Sequence, residues 1–162
     1  MLKKNLLLIL YLIPFIVKGQ YNELLSYFEK VDTLKIELNY SKKITDSNLI
    51  QKYLCAEKNE CFFNSINNYD FYYYTISKKE YPNYWILTYV RTDTYENDMF
   101  MITLNKKNGN IVSRLHIFNT IGDNTSLASK VFKDVIIIYR KTYRECDSNN
   151  EEKLLLVSQR KI

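Results

Sequence analysis

The sequence predicts an α+β, mainly β fold: a single antiparallel meander sheet or partly closed barrel of about 6–8 strands, with one or two short N-terminal helices. Three observations predict it. Apolar residues recur at helical spacing only near the start of the chain, at Leu24, Leu25, Phe28 and Val31 and again at Leu49, Ile50, Tyr53 and Leu54. From Phe62 onward, runs rich in aromatic and β-branched residues alternate with short polar turns. Residues 106–109, Lys-Lys-Asn-Gly, hold an Asn-Gly dipeptide between two such runs, which is the strongest short-range hairpin signal.

Residues 1–19 read as a secretory signal peptide. Lys3 and Lys4 supply the positive start, Leu6 to Val17 the apolar stretch broken only by Pro14, and Val17-Lys18-Gly19 the cleavage site. A membrane-crossing helix needs about 20 apolar residues, more than this stretch contains. The chain is therefore expected to be exported, periplasmic or extracellular, and not to span a membrane after cleavage, with residues 20–162 forming one globular domain. No cysteine follows the apolar run before Cys55, so no lipid can be attached at a new N-terminal cysteine.

Asn22 can cap the first helix, with Leu24, Leu25, Phe28 and Val31 on its buried face. Residues 33–40 alternate, with Leu34, Ile36, Leu38 and Tyr40 on one side and Lys35, Glu37 and Asn39 on the other, as a half-buried strand requires. Asp46 or Ser47 opens a second helix that ends at a cysteine loop. Strands follow over residues 70–77, 84–91, 99–105, 111–118, 131–143 and 153–160. Val135 to Tyr139 is apolar on both faces, which places that strand centrally, with the helices covering one face of the sheet. A type I′ turn centred on Asn108-Gly109 would set Phe100 opposite Ile117, Ile102 opposite Leu115 and Leu104 opposite Ser113. The other face would pair Met101 with His116 and Thr103 with Arg114, so His116 would point away from the more apolar side.

Composition bounds the function. The whole chain has 23 basic and 18 acidic residues, a formal charge of +5. Removing residues 1–19 takes away Lys3, Lys4 and Lys18, which leaves a formal charge of +2. A nearly neutral domain gives no electrostatic reason to expect nucleic acid as a partner. The 15 tyrosines suit a recognition surface, because each brings apolar area together with a hydroxyl, although an AT-rich coding sequence also explains them.

Of the three cysteines, Cys55 and Cys61 make the better disulfide, since five residues form a polar loop that can fold back between them. Cys146 would then be free; the alternative is that all three stay reduced. His116 is the only histidine, and neither a Gly-x-Ser-x-Gly elbow nor a glycine-rich phosphate loop accompanies it, so no catalytic residue is assigned. Asp93, Glu96 and Asp98 share one loop and Asp147, Asn149, Glu151 and Glu152 another, with oxygen ligands suited to calcium but without the glycine of an EF-hand; no metal or cofactor is assigned. Asn39-Tyr40-Ser41 and Asn124-Thr125-Ser126 match the glycosylation pattern, which matters only in a eukaryotic host.

The stretch from Tyr84 to Gly122, YWILTYVRTDTYENDMFMITLNKKNGNIVSRLHIFNTIG, resembles small, uncharacterised exported β-meander proteins of Bacteroidota. They share a strand similar to residues 85–89, a strand ending in a Lys/Asn-Gly turn, a strand similar to residues 111–117, and two more. The resemblance implies export and an antiparallel sheet. It implies no activity and transfers no functional residue, and the chain departs from it in lacking a glycine-containing turn near Lys153 to Ile162. The function expected is that of a non-enzymatic binding protein whose partner is another envelope or extracellular protein. The alternatives are a small secreted hydrolase with a carboxylate or histidine site assembled by the fold, and a structural or adhesive envelope component.

Overall fold

In the computed structural model, residues 20–34, 40–55, 61–64, 69–119, 125–132, 135–142 and 153–161 are described. The signal segment, residues 35–39 of the alternating stretch, Asn124, Cys146 and the acidic loop at 147–152 lie outside them. Ten strands are numbered in chain order: β1 Lys43–Ile44, β2 Phe63–Asn64, β3 Tyr69–Asp70, β4 Tyr72–Glu80, β5 Tyr84–Thr92, β6 Asn97–Asn105, β7 Ile111–Asn119, β8 Thr125–Phe132, β9 Val135–Thr142 and β10 Lys153–Lys161. Eight of them form one antiparallel sheet in the order β1-β4-β5-β6-β7-β8-β9-β10, an open meander, and β2 and β3 form a separate two-stranded ribbon.

Two helical segments lie on one face. The first, α1, includes residues 20–26, so Asn22 is inside the helix rather than its cap. Leu24, Leu25 and Phe28 are buried as the spacing predicts, whereas Val31 lies beyond the helix and is only half-buried. The second, α2, is Ser47–Leu49, and it continues as a π-helical turn over Ile50–Leu54. Asp46 caps it by accepting from the amides of Asn48 and Leu49 at 2.8 and 3.0 Å. At the far end the Tyr53 carbonyl accepts from Arg114 Nη2 at 2.7 Å and the Leu54 carbonyl from the Tyr89 hydroxyl at 2.6 Å. Sheet side chains thus satisfy carbonyls that a short helix cannot satisfy alone.

These helices cover the face carrying Tyr73, Leu87, Tyr89, Phe100, Ile102 and Leu104, and together they make the larger core. The other face buries Ile76, Ile86, Val90, Met99, Met101 and Ile117, with Leu34 packed over them. Thr75 joins the layers, donating to the Tyr27 carbonyl at 3.1 Å and accepting from the Lys42 amide at 3.2 Å.

Three further sequence expectations are corrected. The hairpin loop is Lys106–Gly109, four residues long, closed by Asn105 N to Asn110 O at 2.9 Å and Gly109 N to Asn105 O at 2.8 Å. Asn105 Oδ1 also accepts from the Lys107 amide at 2.8 Å, which starts the turn three residues early, and Gly109 alone supplies the left-handed close at φ 70°. With bulges at Met99/Phe100 and Thr103/Leu104, Phe100 pairs with His116, Met101 with Leu115, Ile102 with Arg114, Thr103 with Ser113 and Leu104 with Ile111. His116 therefore stands on the helix-covered face, its ring stacked on Phe100 at 4.7 Å. Second, the segment at 131–143 spans parts of two strands, β8 and β9. Third, β9 lies next to the edge strand β10, not at the centre; among the strands whose burial is described, β5 and β6 are the most buried.

Candidate functional site

The two ends of the sheet carry different chemistry. At the end where β5 turns into β6, tyrosines gather. Tyr73 faces the helices, so its neighbours Tyr72 and Tyr74 stand on the opposite face, beside β1. Tyr40 packs its ring on Tyr74 with centroids 5.1 Å apart, and its hydroxyl donates to Asn97 Oδ1 across the sheet. Lys43 lies over the Tyr72 ring at 4.0 Å. Tyr40 and Tyr72 remain 44% and 42% exposed, and Tyr95, on the turn between β5 and β6, 66%. The Tyr40 and Tyr72 rings are held in place yet open to solvent. That combination lowers the ordering cost of binding, because few rotamers remain to be frozen.

The same end bears a charged row on its helix side. Arg91 reaches Asp98 Oδ2 through Nη2 at 2.5 Å and Nε at 3.2 Å, and its guanidinium lies 4.3 Å over the Phe71 ring. His116 Nε2 sits 3.0 Å from Asp98 Oδ1 without the alignment of a hydrogen bond. Burial alone would raise the Asp98 carboxyl, but the contacts of His116 and Arg91 outweigh it and hold the pKa below the ordinary value. Among the described residues, no serine, threonine or cysteine is hydrogen-bonded to His116. The carboxylate is engaged by a permanent cation, which suits an ion pair that organises β5, β6 and β7.

The loop acids do not converge. Asp93 Oδ1 accepts from the amides of Tyr95 and Glu96, each at 2.8 Å, and so shapes its own turn, while Asp98 faces Arg91. Burial and the nearby Asp98 and Asp93 push the Glu96 carboxyl up. Among the described residues, no three His, Cys, Asp or Glu side chains are placed to hold a metal ion.

At the opposite end of the sheet, a cavity of about 430 Å³ opens between the segment after α1 and the β4–β5 turn. Lys30 and Lys106 both reach Glu80, at 2.5 and 2.6 Å. Lys30, Lys78 and Lys106 lie 5.8, 5.8 and 5.1 Å from the centre of the half-buried Trp85 ring. Lys78 donates to the Leu25 carbonyl at 2.5 Å. The hydrogen bonds from Lys106 and Lys30 pull the Glu80 carboxyl down to about 2, whereas desolvation and the charge of Lys30 lower the Lys78 pKa.

Cys55 and Cys61 are joined by a disulfide with Cα atoms 5.2 Å apart, the pairing that the loop length favours. It ties the end of α2 to the chain leading into β2, and the Cys61 carbonyl accepts from the buried Tyr73 hydroxyl at 2.8 Å. Among the described residues, no helix is long and apolar enough to cross a membrane. No protein-family model, curated protein or solved structure matches the chain.

The disulfide and the tyrosine-rich character were readable from the sequence. The lysine cavity was not, because Lys30, Glu80 and Lys106 are 50 and 26 residues apart. Lys30, Lys78 and Lys106 look like ordinary surface charge until the sheet brings them to one indole.

Proposed function

We propose that this is a non-enzymatic binding protein that acts in the periplasm or outside the cell, with its partner docking on the tyrosine face of β4. The observation that carries this reading is the preorganised group Tyr40, Tyr72 and Tyr74 beside Lys43. Exposed aromatic rings with few free torsions are the side chains that supply most binding energy per residue at protein interfaces. The disulfide is compatible with an oxidising compartment. The apolar Leu6 to Val17 segment and the resemblance to exported β-meander proteins support the same location.

A second reading, a hydrolase built on His116, draws on the approach of His116 to Asp98 at 3.0 Å. It is disfavoured because Arg91 holds the same carboxylate. Affinity capture of the mature domain from its native envelope tests the binding reading. One envelope or extracellular protein should be recovered repeatedly, and chemical cross-links to it should fall near Lys43. Recovery of nothing above background across repeated captures, or turnover of a substrate that His116→Ala abolishes, would remove the reading.

A further inference from the structure

We propose that the cavity formed by Lys30, Lys79, Glu80, Tyr81, Pro82 and Lys106 is a second binding site, for a small carboxylate-bearing ligand of the size of a sugar acid. It is independent of the tyrosine face, which lies at the other end of the sheet. Lys30, Lys78, Lys79 and Lys106 bring four ammonium groups to this end of β4, while Glu80 and Asp32 bring two carboxylates. Lys30, Lys78 and Lys106 stand by the Trp85 ring and Lys79 over Tyr81, so cations in excess at this end repel each other, and an incoming anion relieves that repulsion.

Geometry supplies the second step. Lys30 and Lys106 already converge on one carboxylate, that of Glu80, so they are spaced and oriented to hold another. Glu80 is a resident mimic of the ligand. It lies on the surface, with 35% of its side chain exposed, and can turn out to solvent when a competing carboxylate enters. The cavity volume falls within the usual range for small-molecule sites, roughly 300–1,000 Å³. Its wall is partly apolar: Tyr81 stacks on Tyr84 at 4.8 Å and Pro82 adjoins it, a surface suited to the carbon skeleton of a small ring. Trp85 reports on occupancy, because the ammonium groups over it move when the anion binds.

The test is titration of the full mature domain with D-glucuronate, followed by Trp85 fluorescence and calorimetry, with D-glucose and acetate as comparators. Saturable binding of glucuronate, weaker binding of acetate and no response to glucose are expected. Lys106→Ala and Lys30→Ala should each weaken binding about tenfold, since each removes a charge-assisted hydrogen bond. Glu80→Gln should strengthen it, because it frees both ammonium groups; a purely structural ion pair would show no such gain. Thermal melting confirms that each variant is folded. The proposal is overturned if glucuronate gives no saturable response, if glucose binds as well as glucuronate, or if Glu80→Gln binds no better than the parent while melting at a similar temperature.

Discussion

At the scale of single residues, burial and ionic partners together decide which groups stay charged. Asp98 is only 5% exposed yet ionised, because Arg91 and His116 face it. Its folded pKa lies below the unfolded value of about 4, so its contribution to stability is complete above that pH and is lost as the pH falls through the folded value. Asp98→Asn should therefore flatten the acid limb of the stability curve and, at neutral pH, cost about 2–3 kcal/mol by leaving Arg91 without its carboxylate. Urea melts of both proteins between pH 2 and 7 measure this; parallel curves would refute the role.

Tyrosines give the opposite limb. Burial pushes the hydroxyls of Tyr21 and Tyr73 up to about 12, and that of Tyr89 higher still. Since these folded values exceed the unfolded value of about 10, the stability they hold is full below pH 10 and falls as the pH rises beyond it. Absorbance at 295 nm should show exposed tyrosines ionising first, followed by a cooperative step as the sheet unfolds. A single smooth titration of all tyrosines near pH 10 would contradict the buried placement.

At the scale of elements, Gly109 shows how a loop and a helix are locked together. Its φ of 70° favours glycine, and a Cβ there would meet the Tyr21 side chain of α1 at 3.1 Å. Gly109→Ala should cost about 1–3 kcal/mol, since the positive φ and the contact both oppose it. An equally stable variant would show that α1 does not press on this loop. The Cys55–Cys61 bridge closes only a short loop, so reduction should cost about 2 kcal/mol by the chain-entropy argument rather than unfold the domain. Denaturant melts with and without reductant compare the two states directly.

These elements also show what the sequence could reveal. Runs rich in aromatic and β-branched residues between polar turns marked β4 to β7, and the Cys55–Cys61 spacing marked the bridge. The hairpin register escaped because the Asn-Gly signal competes with the Asn105 side chain, a contest decided by side-chain geometry rather than residue type. Most of β8 escaped because Thr125, Ser126, Ser129 and Lys130 interrupt its apolar residues. The Tyr40–Asn97 contact joins residues 57 apart, so the tyrosine group was legible as composition and not as a place.

At the scale of the whole molecule, the sheet places the two proposed recognition sites at its opposite ends. The tyrosine face lies at one and the lysine cavity at the other, and the core formed by α1, α2 and β4 to β6 keeps both fixed. The edge beside the tyrosines is guarded: β1 is two residues long, and Lys42 and Lys43 are exposed there, a pattern that discourages strand-to-strand aggregation. Binding there should therefore run through side chains rather than through an added strand.

The most direct test is the dissociation constant for the captured partner, measured with the parent domain and with the double variant Tyr40→Ser, Tyr72→Ser. Both rings are exposed, so the variant should melt within a few degrees of the parent. Loss of two aromatic anchors should weaken binding at least about tenfold. An unchanged dissociation constant in a folded variant would contradict the claim that the tyrosine face is the recognition surface.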